Sequence, residues 1–177
     1  MKKIISSPVA ISVCLIIAAA VLRLLTNYFH IWNFTPITAM ALFCGATIRD
    51  KKFAFIIPLI AIVLTDAIIG FYQGIFVTYF ALLLITLFGF LLQNRIRFLP
   101  VLLGSLGTSV IFYLVTNFAL VYPTTLYPHT MQGILDSYVA AIPFFKNAIV
   151  GDLIFSALLF GSYAVLRRKA LTPARSV

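Results

Sequence analysis

The chain has 177 residues, 63% of them hydrophobic and 10% charged, with a mean hydropathy of +1.12. Soluble domains carry about a quarter charged residues, so a water-soluble globular domain is excluded. The net charge is +9, but the basic residues sit in short clusters between apolar runs, which is the signature of cytoplasmic loops and not of a nucleic-acid-binding face.

Apolar runs of about eighteen or more residues recur, which reads as an all-α, multi-pass membrane protein. The runs do not alternate, so a transmembrane β-barrel does not fit. The beginning imitates a signal peptide: Lys2 and Lys3, an apolar core, then Ala18, Ala19 and Ala20. The apolar run continues to Leu25, too long for a signal core, so it is read as an uncleaved first helix. Cys14 and Cys44 both fall inside apolar runs. They read as small buried residues and not as a disulfide framework.

Taken in order, the first helix is expected over 8–28. Along it Ser6, Ala10, Cys14 and Ala18 recur every fourth residue. Such a small-residue stripe lets a second helix approach closely in lipid, either within the bundle or from a partner subunit. An uncharged loop holding His30, Trp32 and Asn33 follows; Trp32 also suits a membrane-interface anchor. The second helix is expected over 36–48, with Thr35 as N-cap and Pro36 in the first turn. It is short for a full span. Arg49, Asp50, Lys51 and Lys52 end it. The third helix is expected over 53–69, kinked at Pro58, with Asp66 near its far end. A tight turn containing Tyr72 leads to the fourth helix, over 75–92. Arg95 and Arg97 lie in the next loop, and the fifth helix is expected over 100–121, with Asn117 near its far end.

The stretch from Tyr122 to Asp152 differs from the rest. It carries His129, Asp136, Lys146 and Asp152, with prolines at 123, 128 and 143. Connections between bundle helices typically run about 2–8 residues, and long ordered ones tend to carry function. The prolines are expected to break it into rigid pieces, with a short interfacial helix over 130–141. The sixth helix is expected over 144–166. The whole chain is one domain without an internal repeat.

Six spans place eleven of the thirteen Lys and Arg residues on one side, together with both termini. The positive-inside rule makes that side cytoplasmic. The remaining basic residues, Arg23 and Lys146, fall in the outer half with Asp66, Asp136 and Asp152. A charge at mid-membrane costs roughly 2.5–3.5 kcal/mol on insertion scales, so such residues pair or face a watered cavity. Two readings stay open. Arg23, Trp32, Asn33, Asp66, Tyr72, Asn117, His129, Asp136, Lys146 and Asp152 line an outward substrate pocket, or they form structural pairs such as Arg23 with Asp66. Aromatic residues would sandwich a flat ring, and Arg23 with Lys146 would suit a carboxylate or phosphate.

Three segments, NFTPITAMALFCGA (33–46), LTDAIIGFY (64–72) and YPHTMQGILDSYVAAIPFFKNAIVGDL (127–153), resemble a family of uncharacterised bacterial integral membrane proteins. That family is in turn similar to the substrate-binding S components of energy-coupling factor (ECF) vitamin transporters. The resemblance implies a six-helix bundle with cytoplasmic termini and an outer ligand pocket covered by loops. It also implies a first-helix face, here Ala10, Cys14 and Ala18, docking a transmembrane coupling subunit that works with ATPase subunits. The chain has no phosphate-binding GxxxxGK[ST] loop, so ATP hydrolysis would come from those partners. No cofactor, metal site or catalytic residue is expected: HExxH, clustered ligand spacing and serine-nucleophile motifs are all missing from the sequence. The expectation is a membrane-embedded subunit taking up a vitamin-like or metabolite solute. The alternative is a stand-alone carrier or channel, although no inverted repeat supports it. A membrane enzyme using the three aspartates and two histidines ranks last.

Overall fold

The computed structural model describes residues 8–31 and 33–171. Lys2, Lys3, Ser6, Trp32 and Arg175 lie outside the described residues. Among the described residues there are six α-helices: α1 (Pro8–Tyr28), α2 (Ile37–Thr47), α3 (Lys51–Ile69), α4 (Ile75–Gly89), α5 (Phe98–Thr116) and α6 (Met131–Leu171). Single 3-10 turns follow α4 at Phe90–Leu92 and α5 at Ala119–Val121. No strand occurs among the described residues. Among the described residues five helices are long and apolar enough to cross a membrane, counting α4 with its 3-10 turn. The protein is therefore a multi-pass membrane protein by length and composition.

The sixth helix, α2, is the axis of the bundle. Every residue from Ile37 to Ala46 is buried. Its 11 residues rise about 16 Å, roughly half the hydrocarbon thickness. No lipid-facing stripe is needed on a helix walled in by its neighbours, and its sequence has none: small residues, Leu42 and Phe43 point in all directions without a charge. Close approach is the reason for the small residues. A Cβ added to Gly89 of α4 would lie 2.6 Å from the Leu42 carbonyl oxygen and 3.0 Å from the Gly45 Cα. The two backbones touch where neither residue has a side chain. A helix end buried in the bundle must also satisfy its last carbonyls. Gln93, just past α4, does this by donating Nε2–H to the Gly45 carbonyl at 2.9 Å and the Ile48 carbonyl at 3.2 Å.

The start of α2 departs from the expected cap. Pro36 occupies the N-cap position, and the Thr35 hydroxyl makes no capping bond. The cap that does form is at α3: Asp50 accepts from the backbone N–H of Lys52 at 2.9 Å and of Phe53 at 3.4 Å. That role accounts for the single acid inside a basic cluster. Pro58 is buried inside a continuous α3.

The fifth helix stops at Thr116, earlier than its pattern suggests, and Asn117 closes it. The largest departure is α6. The interfacial helix over 130–141 and the span over 144–166 are one helix of 41 residues, running through Pro143. Its length is about 60 Å, twice the hydrocarbon thickness. Proline removes one N–H and crowds the preceding turn, yet helices in lipid tolerate it where neighbours hold both sides. Here they do. Below Pro143, Ser109 of α5 donates to Asp152 at 2.5 Å. Above it, the Tyr113 hydroxyl donates to the Tyr138 carbonyl at 2.6 Å and the Tyr138 hydroxyl to the Leu114 carbonyl at 2.8 Å. In straight antiparallel helices, the first contact would set Tyr138 about ten residues, or roughly 15 Å, beyond Tyr113. A tyrosine side chain does not reach that far. The amino-terminal part of α6 therefore leans over the end of α5, with Pro143 between the two contacts.

Candidate functional site: a cavity at one end of the bundle

One end of the bundle holds a cavity of about 780 Å³. Its wall is built in chain order from alternating helix ends. The carboxyl end of α1 gives Arg23 and Asn27, and the turn beyond it His30. The loop into α2 and its first turn give Asn33, Thr35 and Thr38. The carboxyl end of α3 gives Asp66 and Ile69, the turn beyond it Tyr72, and the first turn of α4 Thr78. The carboxyl half of α5 gives Ser109, Tyr113 and Asn117, and α6 gives Phe144, Phe145 and Asp152. This alternation means that consecutive helices run antiparallel. The basic residues from Arg49 to Lys52 and at Arg95, Arg97, Arg167 and Arg168 consequently fall at the opposite end. The rim is exposed at His30, Phe71 and Tyr72, while the inner end at Thr38, Ser109 and Asp152 is buried.

Two polar clusters anchor the cavity. In the first, the Arg23 guanidinium and the Asp66 carboxylate form an ion pair at 2.6 Å, with side chains 9% and 1% exposed. Arg23 also donates Nη1–H to the Ile62 carbonyl at 3.1 Å and to the Thr65 hydroxyl. The second Asp66 oxygen accepts from the Tyr79 hydroxyl at 2.9 Å. This network ties α1, α3 and α4 together. The pairing expected from sequence is present, and both partners border the cavity.

The second cluster is at the inner end. Asp152 is 2% exposed. Its two carboxyl oxygens accept from the Ser109 hydroxyl at 2.5 Å and from the Thr38 hydroxyl. Three helices, α2, α5 and α6, meet on this one carboxyl. Asp152 lies outside the only ion pair found among the described residues. The Thr35 hydroxyl, also on the cavity wall, is buried without a hydrogen-bond partner.

From the loop before α6, Tyr122 reaches the cavity wall; residues 123–140 do not border it, and α6 joins the wall from Ala141 onward. The Tyr122 ring lies against Gly74, where an added Cβ would sit 2.9 Å from it. Gly74 has φ +86°, a left-handed conformation that glycine adopts without strain. The Tyr122 hydroxyl donates to the Thr116 carbonyl at 2.6 Å. Burial, and then the neighbouring Tyr72, push the Tyr122 phenol up from its ordinary pKa, so it remains a neutral donor. The Ser137 hydroxyl reaches the Asn117 carbonyl at 2.8 Å. Tyr113 and Phe145 stack with ring centroids 4.5 Å apart and fix the aromatic wall.

Of the residues singled out by sequence, Arg23, Asn33, Asp66, Tyr72, Asn117 and Asp152 line the cavity. His129, Asp136 and Lys146 are exposed and outside its wall. His129 bonds the Tyr122 carbonyl at 2.8 Å, and Asp136 accepts from Gln132 one turn earlier at 2.8 Å. Both are local contacts away from the cavity wall. Lys146 points away because α6 turns Phe145 and Asp152 inward. Trp32 lies outside the described residues. On α1, Cys14 and Ala18 are exposed and Ala10 is half-buried, while Ile11, Ser12, Ile16, Ala19 and Arg23 face the bundle.

Thr38, Tyr79 and Ser109 carry no formal charge, and the sequence reading missed them; Thr35 is read from sequence only as a helix cap. One signal was present. Ser105 and Ser109 on α5, and Asp152 and Ser156 on α6, are polar pairs four residues apart in apolar helices. Such pairs place two polar groups on one face, and in antiparallel neighbours they meet.

Residues 3–175 match a family described as a family of unknown function (DUF6580), and the chain belongs to that family. No curated protein matches the chain. No solved structure matches it.

Proposed function

We propose that this DUF6580 member is the solute-binding membrane subunit of an ECF-type transporter in a bacterial inner membrane. It takes up a small metabolite or vitamin-like solute from the outer side. The observation that supports it most is the cavity of about 780 Å³ at the end of the bundle opposite the basic clusters. Pockets for small organic ligands run about 300–1,000 Å³, with mostly apolar walls and few polar groups. The positive-inside rule turns the basic end to the cytoplasm and the cavity outward. The exposed surface at Cys14 and Ala18 supports a docking face for a coupling subunit, which would bring the ATPase subunits. On this reading the protein has no catalytic role of its own.

One observation favours a second reading, a stand-alone carrier. The buried half-length α2, with its amino end at the cavity, resembles the discontinuous helices of secondary transporters. Two measurements separate the readings. Mass spectrometry of small molecules released from the purified protein tests solute binding, and release of nothing above a denatured control defeats both readings. Uptake by reconstituted vesicles of the chain alone, without ATP, favours the carrier. Uptake only with a coupling complex and ATP favours the subunit.

A further inference from the structure

The charges around the cavity do not balance. Arg23, Asp66 and Asp152 are the only Lys, Arg, Asp or Glu side chains on the described wall. Arg23 and Asp66 neutralise each other at 2.6 Å. Asp152 faces only the neutral hydroxyls of Thr38 and Ser109. A protein with net charge +9 thus presents a single unneutralised acid at the buried end of its cavity.

We propose that the solute carries a positively charged amine and that Asp152 is its counter-ion. This rests on the solute-binding reading above and adds the chemical class. A buried carboxylate without a partner is costly, and it is retained where a partner of opposite charge arrives. Two hydroxyls donate to Asp152, and Thr38 belongs to the first turn of α2, where the helix dipole favours negative charge. The positive field of that helix end is thereby already matched by Asp152. A carboxylate offers about four acceptor sites, of which the two hydroxyls take two. The carboxyl ends of α1, α3 and α5 also lie at the cavity, and the negative ends of their helix dipoles favour a cation there. Phe34, Phe112, Tyr113 and Phe145 give the wall aromatic faces that attract both an apolar body and a cationic group. The unpartnered Thr35 hydroxyl offers one further hydrogen bond. A multidentate metal site does not fit, because no group of three or more His, Cys, Asp or Glu occurs among the described residues. The carboxylate or phosphate solute suggested by Arg23 and Lys146 loses both its anchors. Arg23 is paired and Lys146 is outside the wall.

Calorimetry on the full chain in nanodiscs tests this with three probes of similar shape: phenethylamine, phenethyl alcohol and hydrocinnamate. A charge-assisted hydrogen bond corresponds to roughly tenfold to a hundredfold in affinity, so phenethylamine is expected to bind tighter than either other probe by about that factor. Asp152→Asn should remove the preference, while Asp152→Glu and the exposed Lys146→Gln should keep it. If Asp152→Asn does not fold, the wild-type ranking decides. Equal or tighter binding of hydrocinnamate overturns the charge assignment and leaves solute binding intact. A preference that persists in Asp152→Asn overturns the counter-ion role. Stabilisation by sodium ion alone, with no response to phenethylamine, overturns it in favour of an inorganic cation. No binding by any probe overturns the amine inference. If the purified protein also releases no small molecule, the solute-binding reading falls with it.

Discussion

Replacing Asp66 by alanine should be among the most damaging single changes in this protein. The carboxylate is fully buried, and it holds Arg23 at 2.6 Å and the Tyr79 hydroxyl at 2.9 Å. Without it the guanidinium keeps its bonds to Ile62 and Thr65 but loses its only counter-charge. Breaking a buried ion pair from one side typically costs about 3–5 kcal/mol, and the orphaned Tyr79 hydroxyl adds roughly 1 kcal/mol. Arg23 borders the cavity, so water there can soften the loss toward the lower end of that range. The double variant Arg23→Met with Asp66→Leu fills similar volume and leaves no charge behind. Replacing a buried pair by packed apolar residues is often neutral, so the double variant is expected to lose less than Asp66→Ala alone. Unfolding by titrated SDS in mixed micelles, followed by circular dichroism, measures all three proteins. A loss below about 1 kcal/mol for Asp66→Ala would mean that Arg23 is solvated from the cavity, as for an exposed pair. A double variant as unstable as the two single changes summed would show that the pair is not a coupled unit.

Further outcomes follow from the same contacts. Gly89→Ala drives a methyl group into the Leu42 carbonyl and should cost about 1–3 kcal/mol in the same assay; a neutral result would mean that α2 and α4 are farther apart. Gly74→Ala meets φ +86° and the Tyr122 ring, so it should lose roughly 1–2 kcal/mol and loosen the loop before α6, read as faster hydrogen exchange at residues 119–130 with the spans unchanged. A membrane-permeant maleimide should modify exposed Cys14 and spare buried Cys44 in the folded protein; equal labelling would contradict the central position of α2. Cysteines introduced at Lys52 and at His129 should be reached by impermeant reagents from opposite sides of the membrane, and labelling from one side would break the alternating arrangement of helix ends.

Much of this protein is legible in its residues. Apolar runs separated by basic clusters dictate helices, because lipid offers the backbone no hydrogen bonds and only self-satisfied segments survive there. Charges that interrupt an apolar run at Arg23, Asp66 and Asp152 are costly unless sheltered, so their shelter could be foreseen. Three features needed the tertiary structure. The central position of α2 was hidden because its neighbours are apolar over most of their surfaces too, and hydrophobicity then does not distinguish a lipid-facing side from a protein-facing one. The continuity of α6 was hidden because proline breaks helices in water, whereas here contacts from α5 hold the helix on both sides of Pro143. The inward turn of Asp152 and the outward turn of Lys146 depend on the rotation of α6 about its axis. Packing against Ser109 and Thr38 sets that rotation, and residues 43 and 114 positions away along the chain cannot announce it locally.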